Sequence, residues 1–230
     1  FSMLYDWDLE AAESGFLRSV QLNPNSPWDR FFYSQYLRFN HQYEEAIAES
    51  LFVIEKDPFN IYICTEVGIT YLMAGRVQDA IERQKMTINI YPEGFMAHHN
   101  LGEAYEVNGQ LDEAIAYYDK ALKLSSGHPL PQTRYACAIH KAGRKEEARE
   151  IIEKVEQMKE TMYIPSSFFV PYYLLVKNFD QAYFWLKRAC EERDFNLPAL
   201  MSTQVTEYRM PDDPRFNALL EATGLNKYMK

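Results

Sequence analysis

Apolar residues recur along this chain at helical spacing, in amphipathic stretches that come in pairs around a short turn. The pairs keep a common register. Ala12, Ala46, Ala80, Ala114, Ala148 and Ala182 stand 34 residues apart, without one insertion. Other columns keep the same step: small Ser34, Gly68, Gly102 and Ala136, then Leu37, Tyr71, Tyr105, Ile139 and Tyr173. Glycine returns at Gly75, Gly109 and Gly143, and proline at Pro24, Pro58 and Pro92. A fixed period of this length is the mark of stacked supersecondary units. It predicts an all-α chain of antiparallel helix pairs, here termed helix A and helix B. The small residue of each pair sits where the two helices cross, because a larger side chain would force the backbones apart. Rings then fill the gaps between layers, and proline ends helix B and turns the chain into the next pair.

The period divides the chain into five full units at 27–60, 61–94, 95–128, 129–162 and 163–196. Residues 1–26 carry the columns of a second half-unit through Ala12, Phe16 and Pro24, so the sequence is expected to be part of a longer protein. In 197–230 the period is lost. There Asp213 as N-cap, Pro214 at the first helical position and Gly224 beyond the end frame a short helix. Its less polar face (Phe216, Leu219, Leu220, Thr223) is expected to cap the last apolar layer, as a solenoid needs. The unit 163–196 departs most: Val170 stands at the small position, Lys177 at the turn glycine, and Pro171 lies inside helix A. Pro171 removes an early intrahelical hydrogen bond, which predicts a kinked or late-starting helix, with Ser166 as the candidate N-cap.

The spacing resembles the tetratricopeptide (TPR) repeat. Residues 95–128 carry it most fully, with Leu101-Gly102, Tyr105, Gly109, Ala114, Tyr118 and Ala121 in the family's columns. The resemblance implies a right-handed TPR α-solenoid whose A helices line a concave surface, closed by a C-terminal capping helix. Two further stretches, Tyr5-Asp6-Trp7-Asp8 with Asn23-Pro24-Asn25, and Ala182-Tyr183-Phe184-Trp185 with Asp213-Pro214-Arg215-Phe216, resemble the C-terminal TPR regions of bacterial signalling and transcription-regulatory proteins. That likeness implies a scaffold or regulatory module attached to an effector domain upstream.

Charge and chemistry narrow the function. Lys and Arg number 24 against 33 Asp and Glu, a net −9, which excludes the positive footprint nucleic acid requires. The longest apolar run, 168–176, is too short for a membrane span and contains a proline. Three widely spaced cysteines without a CxxC argue against a disulfide framework or zinc site and for a reducing, cytoplasmic setting. The phosphate-loop, zinc-protease and serine-hydrolase signatures are all missing. His98 and His99 adjoin on a helix and point about 100° apart, which does not suit a shared metal. Cys137 and His140 could share a helix face, yet no orienting group or oxyanion hole accompanies them. The reading is non-catalytic, with no cofactor and no metal.

Recognition on the concave face is the expected activity. The family's exposed helix-A columns give Trp28, Phe31, Phe32, Gln35, Arg38 and Phe39 in the first full unit, and Tyr62, Ile69 and Leu72 in the second. The third offers Met96, His99, Asn100 and Glu103, and the fourth Arg134 and His140. The groove is thus apolar at its ends and polar in its centre. Chaperone-binding TPR proteins hold a peptide carboxylate with a Lys, Asn and Arg set, of which only Asn100 and Arg134 have counterparts here. An apolar protein or peptide segment is the expected partner, anchored by the rings. Half of those rings are expected to pack between layers instead. Two other readings remain open at this level: a small-ligand sensor with a closed pocket around Cys137, His140 and Arg134, and self-association into a homodimer through an exposed apolar patch.

Overall fold

Side-chain caps mark the starts of several of the helices. In the computed structural model, which describes residues 9–229, α1 (Leu9–Leu22) is followed by α2 (Pro27–Phe39), whose start is set by Pro27 and by Ser26, the side chain of which accepts from Asp29 N. Then come α3 (Tyr43–Lys56), α4 (Ile61–Met73), α5 (Val77–Ile90), α6 (Phe95–Val107), α7 (Leu111–Leu124), α8 (Pro129–Lys141) and α9 (Lys145–Met158). The A helices start at 27, 61, 95 and 129 and the B helices at 43, 77, 111 and 145, each 34 residues after the last. No strand is present among the described residues. The architecture is an all-α solenoid of antiparallel helix pairs.

Each A helix ends in one repeated turn. Gly75, Gly109 and Gly143 take positive φ, and the turn closes with paired bonds such as Gly109 N to Glu106 O (3.1 Å) and Gln110 N to Tyr105 O (2.9 Å). His41 and Lys177 hold the same left-handed conformation without being glycine. The alanine column lies at the helix crossings: Ala46, Ala80, Ala114, Ala148 and Ala182 are all buried. At Gly102 the approach is closer still, because a Cβ there would lie 2.8 Å from Cδ1 of Tyr118 on the partner helix.

The fifth unit breaks its helix A. A 3-10 turn (Ser166–Phe168) precedes α10 (Val170–Leu175), and Phe169 N bonds to Ser166 O rather than four residues back. The late start follows the position of Pro171, but Ser166 is not the cap of an α-helix. Instead the buried Asp194 carboxylate accepts from Ser167 N (3.0 Å) and Asn196 N (2.9 Å), tying the broken helix to the beginning of the tail. Helix α11 (Phe179–Glu191) completes the unit.

The tail contains α12 (Leu197–Met201), a 3-10 turn at Thr206–Tyr208, α13 (Pro214–Thr223) and a last turn at Leu225–Tyr228. Asp213 caps α13, and Gly224 ends it at φ 69°. The helix lays Phe216 against Tyr183 of α11, with Arg215 paired to Asp180 at 2.8 Å, so the last unit is covered as the sequence predicts. The tail also does something the repeat pattern does not announce. It turns back along the inner face of the solenoid. Tyr208, Leu225 and Tyr228 are buried in one core with Phe39, Cys137 and Tyr172.

Candidate functional site

The A helices present three kinds of surface along their concave columns. At the N-terminal end, Trp28 (49% exposed), Phe32 (45%) and Tyr62 (56%) stand out into solvent around the buried ring of Phe31. Trp28 and Tyr62 each meet Phe31 edge-on, with centroids 6.0 and 5.4 Å away. This is a pre-assembled aromatic rim on α2 and α4. Behind it, Gln35 and Arg38 are buried. Arg38 gives one guanidinium nitrogen to Glu66 at 2.9 Å, while its Nε and the Gln35 amide nitrogen have no hydrogen-bond partner.

Farther along, expected groove residues are interior. Phe31 packs with Val53 and Ile63, and Leu72 packs with Ala80, Ile81 and Leu101. His99 lies against Tyr118, and Asn100 is buried beside it. Phe31, Leu72 and His99 therefore look into helix interfaces rather than into an open groove, and Asn100 is buried as well, against the expectation that these columns are exposed. Burial drops the His99 pKa to about 3, with Arg134 and His128 adding to the effect, so its ring is neutral near pH 7. Ile69, Met96, Glu103, Arg134 and His140 are half-buried.

The tail covers the rest. Phe39 meets the ring of Tyr228 edge-on at 6.0 Å, and His41 Nε2 lies 3.2 Å from Lys227 O. In the third and fourth units the Thr206–Tyr208 turn enters the groove. Tyr208 donates its hydroxyl to Glu106 Oε1 at 2.7 Å, and Tyr118 donates to Glu106 Oε2 at 2.8 Å. Lys141 Nζ spans Glu106 and Glu207, 2.9 Å from each. The Arg134 guanidinium sits 4.9 Å and the Lys141 ammonium 5.3 Å from the centroid of the Tyr208 ring. Arg134 also pairs with Glu103 at 3.3 Å. Burial pushes the Lys141 pKa down, but Glu106 and Glu207 outweigh it and hold the ammonium above its usual range. Burial likewise raises Glu207, and its bonds from Lys141 bring it below the usual carboxylate range.

The concave groove is therefore closed over its third and fourth units by this chain's own tail. Glu106 and Lys141 fall in helix-A columns and are readable as groove residues. Tyr208 and Glu207 lie where the period has ended, and no spacing in the sequence connects them to Glu106. The surroundings do not make a catalytic dyad of Cys137 and His140. Burial raises the Cys137 thiol to about 12, and the cleft of ≈540 Å³ beside His140 is walled by Arg149, Glu153, Tyr172 and Tyr173, without Cys137 or Arg134. No group of three or more His, Cys, Asp or Glu able to hold a metal ion occurs among the described residues. No described helix is long and apolar enough to cross a membrane.

The geometry defines a class: an α-solenoid of TPR-like helix pairs whose concave face is covered in part by its own tail. Comparison with known proteins agrees. Residues 95–128 match the family described as tetratricopeptide repeat, so the chain carries such a repeat there. It is 31% identical over 91 residues to Superkiller protein 3 of Saccharomyces cerevisiae, a stretch covering 40% of this chain and 6% of that protein. Among solved structures it is similar to a thermophilic TPR protein of Thermus thermophilus, with a TM-score of 0.58, 20% identity and coverage of 65% of this chain and 82% of that one. It is similar also to Pseudomonas aeruginosa PilF, with a TM-score of 0.56, 16% identity and coverage of 93% and 90%. The first-segment likeness at Tyr5-Asp6-Trp7-Asp8 lies outside the described residues.

Proposed function

We propose that this chain is a non-catalytic protein-interaction module that takes an apolar peptide segment at the open end of its concave face. TPR-containing proteins generally serve as interaction scaffolds, and the observation that carries the reading here is the exposed aromatic rim. Trp28, Phe32 and Tyr62 are held in place by contacts with Phe31, so they offer anchoring surface with little ordering cost on binding. Met96 extends the rim along the next A helix. The partner is thus a peptide with apolar side chains that seat against these rings. The likeness of the 182–185 and 213–216 stretches to bacterial signalling proteins supports placing the module in such a protein, acting on an effector domain.

The test is a selection of peptides from a random displayed library against the full chain. Selected sequences are expected to share aromatic or aliphatic anchors and to lose roughly tenfold or more in affinity to the Trp28→Ala, Tyr62→Ala double variant. Both side chains are half-exposed, so the variant keeps its fold. Equal affinity for both chains would overturn the reading. Light scattering over a range of concentrations separates it from self-association: a mass that doubles in the wild type and not in the double variant assigns the rim to a second copy instead.

A further inference from the structure

The loop 203–212 makes the tail's polar contacts with Glu106 and Lys141. Of its side chains only Val205 and Tyr208 are buried. The segments on either side are anchored without it: Leu197, Leu200 and Met201 before it, and Phe216, Leu220, Leu225 and Tyr228 after it, are all buried. Ser202 Oγ further ties the two ends together through Tyr228 O at 3.1 Å. The loop can therefore leave the groove while α12 and α13 stay in place, because local opening costs only what the opened segment itself buries.

The groove beneath it has a distinct chemistry. Glu106 offers an acceptor to a hydroxyl, Lys141 offers an ammonium to an anion next to that hydroxyl, and Arg134 and Lys141 both lie against the aromatic ring that carries it. A carboxylate residue followed by a tyrosine meets all three at once. Phenylalanine lacks the hydroxyl, and an isolated acid lacks the ring.

We propose that residues 203–212 are a built-in ligand of the groove, and that a partner segment carrying an acidic residue followed by tyrosine binds the same site by displacing them. The proposal deepens the interaction reading, and it uses none of the rim residues, so failure at Trp28 and Tyr62 leaves it standing.

The experiment uses the full chain and a fluorescent peptide with the sequence of residues 203–210. Fluorescence anisotropy is expected to show binding to the Tyr208→Ala chain, and binding at least about tenfold weaker to the wild type, whose tethered loop competes at an effective concentration in the millimolar range. Peptides with Phe for Tyr or Gln for Glu are expected to bind the Tyr208→Ala chain more weakly. No binding to that chain at about 1 mM peptide, or equal binding of all three peptides, overturns the proposal. A second measurement needs no variant. In wild-type hydrogen exchange the amides of 203–212 should exchange ahead of those in α12 and α13, and excess peptide should speed them further. Exchange of the loop only together with the whole solenoid, unchanged by peptide, refutes it.

Discussion

Gly102→Ala should destabilise this protein, although the same change raises intrinsic helix propensity. The added Cβ would stand 2.8 and 2.9 Å from Cδ1 and Cε1 of Tyr118. Carbon atoms settle at about 3.5–4.0 Å, so the ring must retreat by roughly 1 Å. It has nowhere to go: Tyr118 is fully buried, and its hydroxyl is held by Glu106, itself fixed by Lys141 and Tyr208. Overpacking of this kind costs about 1–3 kcal/mol. Drawing the hydroxyl off a buried carboxylate adds about 1.5–3 kcal/mol. Replacing a mid-helix glycine returns about 0.5–1 kcal/mol. The net loss is about 1.5–5.5 kcal/mol, at which urea midpoints fall by about 0.5 M or more if m lies near 1–3 kcal/mol/M. Gly15 provides the internal control, because a Cβ there meets nothing within 4 Å in α1. Gly15→Ala should stabilise by about 0.5–1 kcal/mol. Urea unfolding followed by far-UV circular dichroism measures both. In a Tyr118→Phe background the cost of Gly102→Ala should shrink, since the ring is no longer tethered. A Gly102→Ala chain as stable as the wild type, or changes of the same sign at both glycines, would refute the close-approach argument.

Two further outcomes follow from the buried interior. The neutral His99 ring has its folded pKa near 3, against 6.5 when free, so the unfolded chain binds the extra proton between those values. Its contribution is intact above about pH 6.5 and is lost as pH falls toward 3, at a slope approaching 1.4 kcal/mol per pH unit. About 1–2 kcal/mol should go between pH 7 and 5, with His128 and His140 adding in the same direction. The lowered carboxyls Asp29, Glu192, Glu207 and Asp213 act only in more acid solution. The difference in urea midpoint between the two pH values should narrow in His99→Gln, leaving the part due to His128 and His140, and an unchanged difference would count against the assignment. Cys64, Cys137 and Cys190 are all buried, with thiol pKa values pushed up by burial, to about 12 for the last two. A colorimetric disulfide reagent should label none of them quickly at neutral pH and all three in denaturant. Fast labelling of the native chain at any one site would show that the burial is wrong there.

The legible part of the architecture is the part governed by short-range rules. The cap at Asp213, turn glycines at Gly75, Gly109 and Gly143, and the late helix at Pro171 each depend on a few neighbouring residues. The alanine column reports helix crossings because the same local geometry recurs in every unit. The candidate site was less legible. Columns alone do not separate a ring that lines a groove, such as Trp28, from one that fills a helix interface, such as Phe31. That distinction depends on the tilt of neighbouring helices and on Tyr62 arriving from the next unit.

What the sequence determined by itself is therefore the repeating unit, its helices and the inner face that those helices must present. What only the tertiary structure decided is the fate of that face. The bond from Tyr208 to Glu106 joins residues 102 apart, and the contact of His41 with Lys227 joins residues 186 apart. A solenoid is held together by neighbour-to-neighbour contacts that a period can reveal. A tail that has lost the period finds its place through a hydrogen bond to a buried carboxylate and ring burial against the stack, and no local pattern encodes that meeting.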